Sequence, residues 1–457
     1  MTVGEIALAV GGTLNDTKYE NQSVGSVCID SRTIEENCVF VAIKGENFDG
    51  HSFVMSAFSA GAVCAICSEE QEDAKGAVIL VPDTRAALLR LAAHYREKFS
   101  IPVIALTGSV GKTTTKEMVA AVLGSKYKVL ATKGNLNNEI GVPRMCFMLG
   151  GEDEAAVFEL GMSGFGEISA LTKTVKPTIG LITNIGVSHI EKLGSREGIL
   201  RAKLEILDGM DESAVLILNA DDKLLADSIK DIKNPVLTYA IEDAHANARA
   251  KNVRQTDDGM SFTLCCEGEE TEIFVPAAGL HNVYNALAAF LCGKLLSVEP
   301  SSAAAGLAGY IPAGMRQKVV RKSGITFIED CYNASPDSIQ AALSVLSSMK
   351  GEGRRIAVLG DMMELGDYAK KAHRQCGEMV AAANADLLYA LGSNAMYYID
   401  GAGQMANEGR ARLYDSKENL VADLISEIKE GDVLLFKASR AMKLEEVIER
   451  IYESLDN

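Results

Sequence analysis

A glycine-rich turn between an apolar run and a predicted helix is the segment with the clearest chemistry. Residues 106–115 read L-T-G-S-V-G-K-T-T-T. The pattern predicts a buried strand over 101–106, followed by a turn in which Gly108 and Gly111 let backbone N–H groups close on an anion. The positive N-terminal end of the following helix points at the same place, so the segment predicts a phosphate-binding loop.

The first residues of that helix supply groups that hold a nucleotide. In such a loop, Lys112 would reach the β- and γ-phosphates and Thr113 would bind Mg²⁺. The general pattern has another glycine five residues before Gly111, where this chain has Leu106, so the loop is a shortened variant. The alternative is an ordinary glycine-rich turn that binds no ligand.

Two candidate metal ligands follow later strands. Glu159 ends the apolar run in A-V-F-E-L-G-M, and a carboxylate beside a phosphate loop is a suitable Mg²⁺ ligand. His189 ends the turn T-N-I-G-V-S-H and could bind a second metal or position a phosphate. The alternative for His189 is a hydrogen-bonded structural histidine.

Lys203 lies on the apolar face of a predicted helix. In E-G-I-L-R-A-K-L-E-I-L, helical spacing places it with Ile199, Leu200, Ile206 and Leu207. Burial lowers the pKa of a lysine, and the neutral amine can react with carbon dioxide to give a carbamate that binds a second metal. The alternative is a lysine whose ammonium reaches water beyond its apolar stem.

Polar groups in the second half of the chain could recognise a nucleotide and an anion. The amides of H-N-V-Y-N-A could bind a purine edge or cap a helix. Asp330 follows a predicted strand, where an acid can bind ribose hydroxyls. The segment K-A-S-R, after the last predicted strand, could bind a carboxylate or phosphate, or form a solvated charge cluster.

Composition indicates a globular enzyme of several domains. The chain has 457 residues, 47% of them hydrophobic, and at roughly 150 residues per domain we expect about three domains. A net charge of −17 argues against broad binding to nucleic acid or anionic membranes. Cys64 and Cys67 lie in an apolar run, so we expect buried thiols rather than a metal or redox site. No signal sequence and no apolar run of membrane-spanning length are found, so we expect a cytoplasmic protein.

The predicted elements divide the chain into three α/β domains. Residues 1–99 predict a small mixed domain that contains a loop over 47–51 and ends with a helix over 84–98. Residues 100–313 predict a doubly wound parallel sheet with an antiparallel addition over 243–276. Residues 314–457 predict a second, Rossmann-like α/β domain. The candidate strands are 155–160, 178–183, 214–218, 326–328, 355–359, 386–391 and 433–436.

These motifs together resemble the Mur ligases of bacterial cell-wall synthesis, nearly from end to end. The resemblance rests on the phosphate loop, K-G-N-L-N-N-E-I-G-V-P, E-L-G-M, the helix with Lys203, H-N-x-x-N-A, Y-N-A-S-P and K-A-S-R-A-M. The branch that adds a D-alanyl-D-alanine dipeptide is the most similar, through G-M-S-G-F-G-E-I, Y-N-A-S-P-D-S and L-G-D-M-M-E-L-G. The D-N-P-R box of the branch that adds lysine or diaminopimelate is absent.

The resemblance implies an ATP-dependent ligase that joins D-alanyl-D-alanine to UDP-N-acetylmuramoyl-tripeptide through an acyl phosphate. It implies that the first domain binds the UDP-muramoyl-peptide, the second ATP and the third the dipeptide. The implied cofactors are ATP, two Mg²⁺ ions and a carbamate on Lys203. We expect a monomer with no nucleic-acid or membrane partner.

The resemblance also assigns roles to individual residues. It implies catalysis by Lys112, Lys203 and His189, and metal binding by Thr113, Glu159, His189 and Lys203. The implied nucleotide contacts are Gly108, Ser109, Val110, Gly111, Lys112, Thr113, Thr114, Asn282, Arg316, Asp330 and Asn333. The implied substrate contacts are Ser31, Arg32, Lys44, Asp49 and His51 for the uridine, Asn137 and Asn138 for the muramoyl-peptide, and Lys437, Ser439 and Arg440 for the dipeptide. Ser335 stands where the family usually has asparagine, and Met315 where several members have glycine.

Two other functions remain open from the sequence. A sibling ligase, such as a single-amino-acid-adding Mur ligase or a folylpolyglutamate synthase, would differ in the amine that it accepts. A phosphate-loop ATPase that acts on a protein partner would hydrolyse ATP without a small amine. That second alternative leaves the Lys203 helix and Asp330 unexplained.

Overall fold

The computed structural model describes residues 1–45, 48–312, 314–349 and 353–456, and its strands form three sheets in consecutive segments of the chain. Helices alternate with these strands, so the protein has three α/β domains, as the sequence predicts. The exact boundaries at 99 and 313 stay predictions, and Ala313 and the predicted loop residue Asn47 lie outside the described residues. Among the described helices, none is long and apolar enough to cross a membrane.

The N-terminal domain has a five-stranded sheet. Its elements are α1 (Val3–Val10), β1 (Thr13–Leu14), β2 (Ser26–Cys28), β3 (Cys38–Val41), α2 (Val54–Ser59), β4 (Cys64–Cys67), β5 (Ala77–Leu80) and α3 (Thr84–Arg96). The strand order is β1-β5-β4-β3-β2, with only β1 antiparallel to its neighbour. All residues of β3 and β4 are buried, as expected for parallel strands covered on both faces. Cys64 and Cys67 are buried free thiols, and burial raises the pKa of Cys67 to about 12.

The central domain has a nine-stranded sheet. Its elements are β6 (Val103–Thr107), α4 (Lys112–Leu123), β7 (Val129–Ala131), α5 (Gly141–Cys146), β8 (Ala155–Glu159), α6 (Glu167–Val175), β9 (Ile179–Ile182), α7 (Ile190–Leu193), α8 (Arg196–Leu204), β10 (Val215–Asn219), α9 (Lys223–Ser228), β11 (Val236–Ala240), β12 (Ala248–Gln255), β13 (Met260–Cys266), β14 (Glu269–Val275), α10 (Leu280–Leu295) and α11 (Pro300–Ala308). The order is β14-β13-β12-β11-β10-β9-β6-β8-β7. Strands β6 to β12 run parallel, and β13 and β14 complete the predicted antiparallel addition.

The topology of the central sheet explains where its ligand groups meet. Strand β6 lies between β9 and β8, so the segments after these three parallel strands lie together at one edge. That edge receives the phosphate loop after β6, Glu159 at the end of β8 and the turn to His189 after β9. Ligands of open parallel sheets collect at this edge. The Asp221 carboxylate, which follows β10, accepts hydrogen bonds from the N–H groups of residues 241–243 and from the Tyr284 hydroxyl, so these groups hold it away from a ligand at this edge.

The C-terminal domain has a six-stranded sheet. Its elements are β15 (Lys318–Lys322), β16 (Ile325–Asp330), α12 (Pro336–Ser348), β17 (Arg355–Gly360), α13 (Ala369–Ala382), β18 (Leu387–Leu391), α14 (Ala395–Ala402), α15 (Gln404–Asn407), β19 (Ala411–Tyr414), α16 (Lys417–Glu427), β20 (Val433–Lys437) and α17 (Glu445–Asp456). The order is β15-β16-β20-β17-β18-β19, with only β15 antiparallel. Ser335 caps α12 by accepting a hydrogen bond from the Ser338 N–H group, and Pro336 begins the helix. Ser335 therefore has a structural role here.

Candidate active site

A cavity of about 820 Å³ lies between the central and C-terminal domains. It brings together most of the predicted site residues. They are Ser109, Val110, Gly111, Lys112, Thr114, Asn137, Asn138, Glu159, His189, Lys203, Asn282, Arg316, Asp330, Asn333, Lys437, Ser439 and Arg440. The predicted residues that do not line it are Gly108 and Thr113 in the phosphate loop and Ser31, Arg32, Lys44, Asp49 and His51 in the N-terminal domain.

The two glycines of the phosphate loop are required by close packing. Gly111 precedes α4 in a left-handed conformation, with φ of 84°, which favours glycine. A Cβ atom at Gly111 would lie 2.9 Å from Asn285 Oδ1, and one at Gly108 would collide with the Thr183 hydroxyl. The loop therefore packs its backbone directly against its neighbours, which leaves its N–H groups at the start of α4 for an anion.

Side chains after β9 hold the phosphate loop in place. Asn184 makes two hydrogen bonds to Val110: its Oδ1 accepts from the Val110 N–H group and its Nδ2 donates to the carbonyl oxygen, both at 2.9 Å. The Gly186 N–H group donates to Ser109 Oγ, also at 2.9 Å. The segment that leads to His189 and the phosphate loop thus form one hydrogen-bonded unit.

Lys112 folds back over the loop that precedes it. Its Nζ donates to the Gly108 carbonyl oxygen at 2.8 Å, and burial lowers its pKa. A lysine at this place can turn from the carbonyl oxygen to a phosphate that enters the loop. The positively polarised N–H groups and Lys112 together fit a polyphosphate.

Glu159 and Thr113 form the pair that suits a hard cation. Thr113 Oγ1 donates to Glu159 Oε2 at 2.7 Å, and Asn137 Nδ2 donates to the other carboxylate oxygen at 2.9 Å. Glu159 is only 2% exposed, yet it lines the cavity. A hydroxyl and a carboxylate oxygen at the phosphate loop are the ligands that Mg²⁺ takes, so these residues fit the ion.

Lys203 is buried at the end of α8 and reaches the cavity. It is 2% exposed, and within the described residues its Nζ has no hydrogen-bond or ion-pair partner. Burial, and secondarily the charge of Lys112, lower the pKa of Lys203 well below its usual value. The ammonium form is therefore disfavoured, and the predicted apolar face is present because Ile199 and Ile206 are also buried. A neutral amine facing the cavity fits carbamate formation.

His189 lies at the joint between two domains. Its Nδ1 lies 2.7 Å from Oε2 of Glu364, a residue of the C-terminal domain, and this hydrogen bond lowers the pKa of Glu364. The His189 backbone is left-handed, with φ of 63°, and such a conformation persists only where the surroundings impose it. The imidazole is thus oriented by a group that belongs to the opposite wall of the cavity.

The C-terminal wall contains a buried ion pair. Lys437 Nζ donates to Asp330 Oδ2 at 2.6 Å and to the Asn333 carbonyl oxygen at 3.0 Å. Lys437 is 2% exposed, and Asp330 8%. The alternative of a solvated charge cluster therefore does not hold for Lys437, because β16 and β20 are adjacent parallel strands whose ends bring both side chains into one site.

The two other predicted dipeptide groups have protein partners as well. Ser439 Oγ accepts a hydrogen bond from the Met363 N–H group at 2.9 Å. Arg440 is exposed and pairs with Glu445 at 2.6 Å. Their positions are thus fixed by the neighbouring backbone and by α17 before any ligand binds.

The predicted nucleotide residues meet where the central domain continues into the C-terminal one. The Arg316 guanidinium lies 3.9 Å from the centre of the Tyr332 ring, a cation–π contact. Asn282 is not a helix cap, since Gly279 occupies that position, and its Nδ2 donates to the Ala278 carbonyl oxygen at 2.7 Å. Arg316 and Asn282 both line the cavity.

The predicted uridine residues form a separate polar network in the N-terminal domain. Asp49 Oδ1 lies 2.6 Å from His51 Nδ1, and Lys44 Nζ lies 3.0 Å from the other Asp49 oxygen. The Ser68 N–H group donates to His51 Nε2 at 2.9 Å. Both ring nitrogens of His51 are therefore engaged, so His51 orders this region. Arg32 is exposed and pairs with Asp30, and Ser31 begins the short helix that Asp30 caps.

Several cavity residues were not assigned from the sequence. They are Ser163, Glu167, Tyr310, Tyr332 and Glu364. Glu167 and Glu364 each belong to a motif that carried the family resemblance, and that membership was the available signal. Glu167 and Glu364 contact residues in a nearby turn or far away in the chain. The spacing of residues along the sequence does not predict such contacts.

Comparisons with known proteins agree along the whole chain. The family model for the Mur ligase family catalytic domain matches residues 23–96, that for the Mur ligase middle domain 106–293, and that for the Mur ligase glutamate ligase domain 315–440. A UDP-N-acetylmuramoyl-tripeptide–D-alanyl-D-alanine ligase of Bacillus subtilis (strain 168) is 41% identical over 456 residues, which cover 99% of this chain and 98% of the relative.

Two solved structures are similar to the whole fold. A crystal structure of MurF from Acinetobacter baumannii has a TM-score of 0.93 at 33% identity, covering 99% of this chain and 98% of that one. MurF ligase from Thermotoga maritima in complex with ADP has a TM-score of 0.85 at 29% identity, covering 94% and 98%. The three-domain arrangement is therefore shared with both structures.

Proposed function

Because the chain belongs to the Mur ligase family, we propose that it is an ATP-dependent ligase that joins D-alanyl-D-alanine to UDP-N-acetylmuramoyl-tripeptide. The products are UDP-N-acetylmuramoyl-pentapeptide, ADP and phosphate, in the synthesis of peptidoglycan precursors. The name of the Bacillus subtilis relative states this reaction, and the two chains align over almost their full lengths. The structural observation that carries the proposal is the cavity in which the phosphate loop faces Lys437 of the C-terminal domain.

The first step is activation of the tripeptide carboxylate. A carboxylate oxygen attacks the γ-phosphorus of ATP, the bond from that phosphorus to the β,γ-bridging oxygen breaks, and an acyl phosphate and ADP result. Catalysis of such a transfer is mainly positioning and charge neutralisation. The N–H groups at the start of α4 bind the phosphates, and Lys112 moves from the Gly108 carbonyl oxygen to the transferring group.

Four residues would hold the metal ions of this reaction. Thr113 and Glu159 are already in contact, and His189 and Lys203 face the same cavity. Bound Mg²⁺ would supply positive charge at the transferring phosphoryl group. We include a carbamate on Lys203 and a second metal ion in this proposal on two grounds. These are the family resemblance and the buried Lys203 amine, whose pKa is lowered by burial.

The second step is attack by the dipeptide amine. The amine nitrogen attacks the acyl carbon, the tetrahedral intermediate expels phosphate, and the amine proton passes to the departing phosphate. Lys437, Ser439 and Arg440 would bind and orient the dipeptide on the C-terminal wall, where protein partners already hold them. Closure of the cavity during this step would keep water from the acyl phosphate.

The remaining predicted residues would bind the two nucleotide ends. Asn282, Arg316, Asp330 and Asn333 would contact ATP across the joint between residues 100–313 and residues 314–457. In residues 1–99, Ser31, Arg32 and Lys44 would contact the uridine, with Asp49 and His51 ordering their surroundings. Asn137 holds Glu159, so it and Asn138 would place the muramoyl-peptide next to the metal ligands.

Phosphate release tests the proposal against its alternatives. The purified protein is supplied with ATP and Mg²⁺, and then with each substrate singly and with both. We expect release that requires UDP-N-acetylmuramoyl-tripeptide and D-alanyl-D-alanine together. Release without an amine would instead support an ATPase, and release with a different amine would support a sibling ligase.

A further inference from the structure

A loop of the central domain, residues 183–190, contacts the phosphate loop on one side. Asn184 holds both backbone polar groups of Val110, and the Gly186 N–H group donates to Ser109 Oγ. These hydrogen bonds are each 2.9 Å long; the two of Asn184 are partly buried and that of Gly186 is buried. A displacement of residues 183–190 therefore moves the anion-binding backbone with it.

The other side of the same loop is held by two acids of the C-terminal domain. Asp337, in the first turn of α12, accepts a hydrogen bond from the Val187 N–H group at 3.1 Å. Glu364, before α13, lies 2.7 Å from His189 Nδ1. The proposed mechanism gives neither Asp337 nor Glu364 a role. The two acids belong to separate segments of the chain, so their contacts with this loop form independently.

The packing at this joint is close. A Cβ atom at Gly186 would collide with Asp337 Oδ2, so a larger residue there would displace the Asp337 carboxylate. Ile190 packs against the buried apolar clusters of both the central and the C-terminal domain. The contact thus combines two exposed hydrogen bonds with the apolar packing of Ile190.

We propose that Asp337 and Glu364 are positioning residues, which clamp residues 183–190 so that the C-terminal domain sets the geometry of the phosphate loop. Nucleotide binding by the phosphate loop and dipeptide binding by the C-terminal domain are then thermodynamically linked. Such linkage is reciprocal, so each ligand raises the affinity for the other by the same factor. This inference rests on the proposed function in taking a nucleotide as the ligand of the phosphate loop and the dipeptide as the ligand of the C-terminal domain.

The first test measures His189 without any dipeptide. The chain has six histidines, so ring-¹⁵N-histidine labelling gives few signals, and the variant His189→Gln assigns the one of interest. With a saturating ATP analogue at pH 8 and with EDTA in place of Mg²⁺, so that no metal fixes the tautomer, we expect the wild type to hold the proton on Nδ1, facing Glu364. In Glu364→Ala the tautomer shifts towards Nε2–H, whereas Glu364→Gln, which still accepts a hydrogen bond, keeps it. An unchanged tautomer in Glu364→Ala would overturn the clamp.

The second test measures linkage by calorimetry of ADP binding, with and without D-alanyl-D-alanine. In the wild type we expect the dipeptide to raise the affinity for ADP at least about fivefold. Glu364→Ala and Asp337→Ala should each reduce that gain to less than about twofold. The exposed neighbour variant Asp367→Asn is the control and should keep the full gain.

The two measurements separate this inference from the proposed function. The Glu364 side chain is 63% exposed, so its loss leaves the fold intact, and exposed pairs contribute little to stability. The linkage would be refuted if the dipeptide raised the affinity for ADP in both alanine variants as much as in the wild type. It would also be refuted if a wild type that binds both ligands showed no rise in ADP affinity with the dipeptide. Failure of the dipeptide to bind would count against the proposed function, and the His189 tautomer would still decide the clamp.

Discussion

Replacing Asp330 with asparagine removes the counter-ion of a buried lysine. Lys437 Nζ donates to Asp330 Oδ2 at 2.6 Å and to the Asn333 carbonyl oxygen at 3.0 Å, and Lys437 is 2% exposed. Removing one partner of a buried pair costs about 3–5 kcal/mol. We expect about 3 kcal/mol, since the asparagine oxygen still accepts one hydrogen bond and Asp330 opens onto the cavity.

Hydrogen exchange measured by mass spectrometry gives the local effect. The chain has no tryptophan, so fluorescence offers no selective probe of one domain. In peptides that cover β16 and β20, a loss of about 3 kcal/mol lowers protection about 100-fold, since 1.4 kcal/mol is tenfold. Adding Lys437→Met removes the unpaired ammonium and should recover at least about half of the loss.

A matched control comes from an exposed pair in the same domain. Arg450 lies 3.3 Å from Glu418, whose side chain is 72% exposed, so Glu418→Gln should cost less than about 0.5 kcal/mol. The reasoning is refuted if Asp330→Asn behaves like this control. It is also refuted if the double variant is as unstable as the sum of its single changes, because the two side chains would then not be coupled.

The other expected outcomes concern Lys203 as a ligand of the second metal ion, the stability of the protein in acid, and the burial of its thiols. Lys203→Ala should slow acyl-phosphate formation by about 10²–10³-fold, and added bicarbonate should not restore it; full activity in this variant would exclude a carbamate. Although burial raises the pKa of Asp432, the hydrogen bonds from Arg354 and from the Lys429 N–H group and the charge of Arg354 together outweigh it, so the net pKa is depressed. Asp432→Asn should therefore cost about 2 kcal/mol at pH 7, and urea unfolding should show this difference disappear as the pH falls below about 4; an equal cost at pH 3 would contradict the assignment. A thiol reagent should modify only the partly exposed Cys28 and Cys265 at once, and rapid reaction of the eight buried thiols would contradict the fold.

The strand, turn and helix of the phosphate loop follow from local sequence. The apolar run predicted over 101–106 is the strand Val103–Thr107, and the predicted helix begins at Lys112. Helical spacing also correctly predicted that Lys203 lies among buried residues, because the periodicity of apolar residues indicates which face of a helix packs against the core. These elements are predictable because neighbouring residues decide them.

The partners of the site residues depend on how distant strands meet. Lys437 pairs with Asp330 because β20 lies next to β16, and nothing in K-A-S-R encodes that neighbour. His189 meets Glu364 across two domains, so its surroundings required the assembled structure. Sequence spacing thus predicted which groups carry the chemistry, whereas the sheet order decided which of them are already paired.

Mass spectrometry of the product tests the central claim most directly. The protein is incubated with ATP, Mg²⁺ and UDP-N-acetylmuramoyl-tripeptide. The amine supplied is either D-alanyl-D-alanine or one single amino acid at a time, glutamate included. The account predicts a product heavier by one dipeptide less one water, formed only with D-alanyl-D-alanine. A product with a single amino acid, or ATP hydrolysis that leaves the tripeptide unchanged, would contradict it.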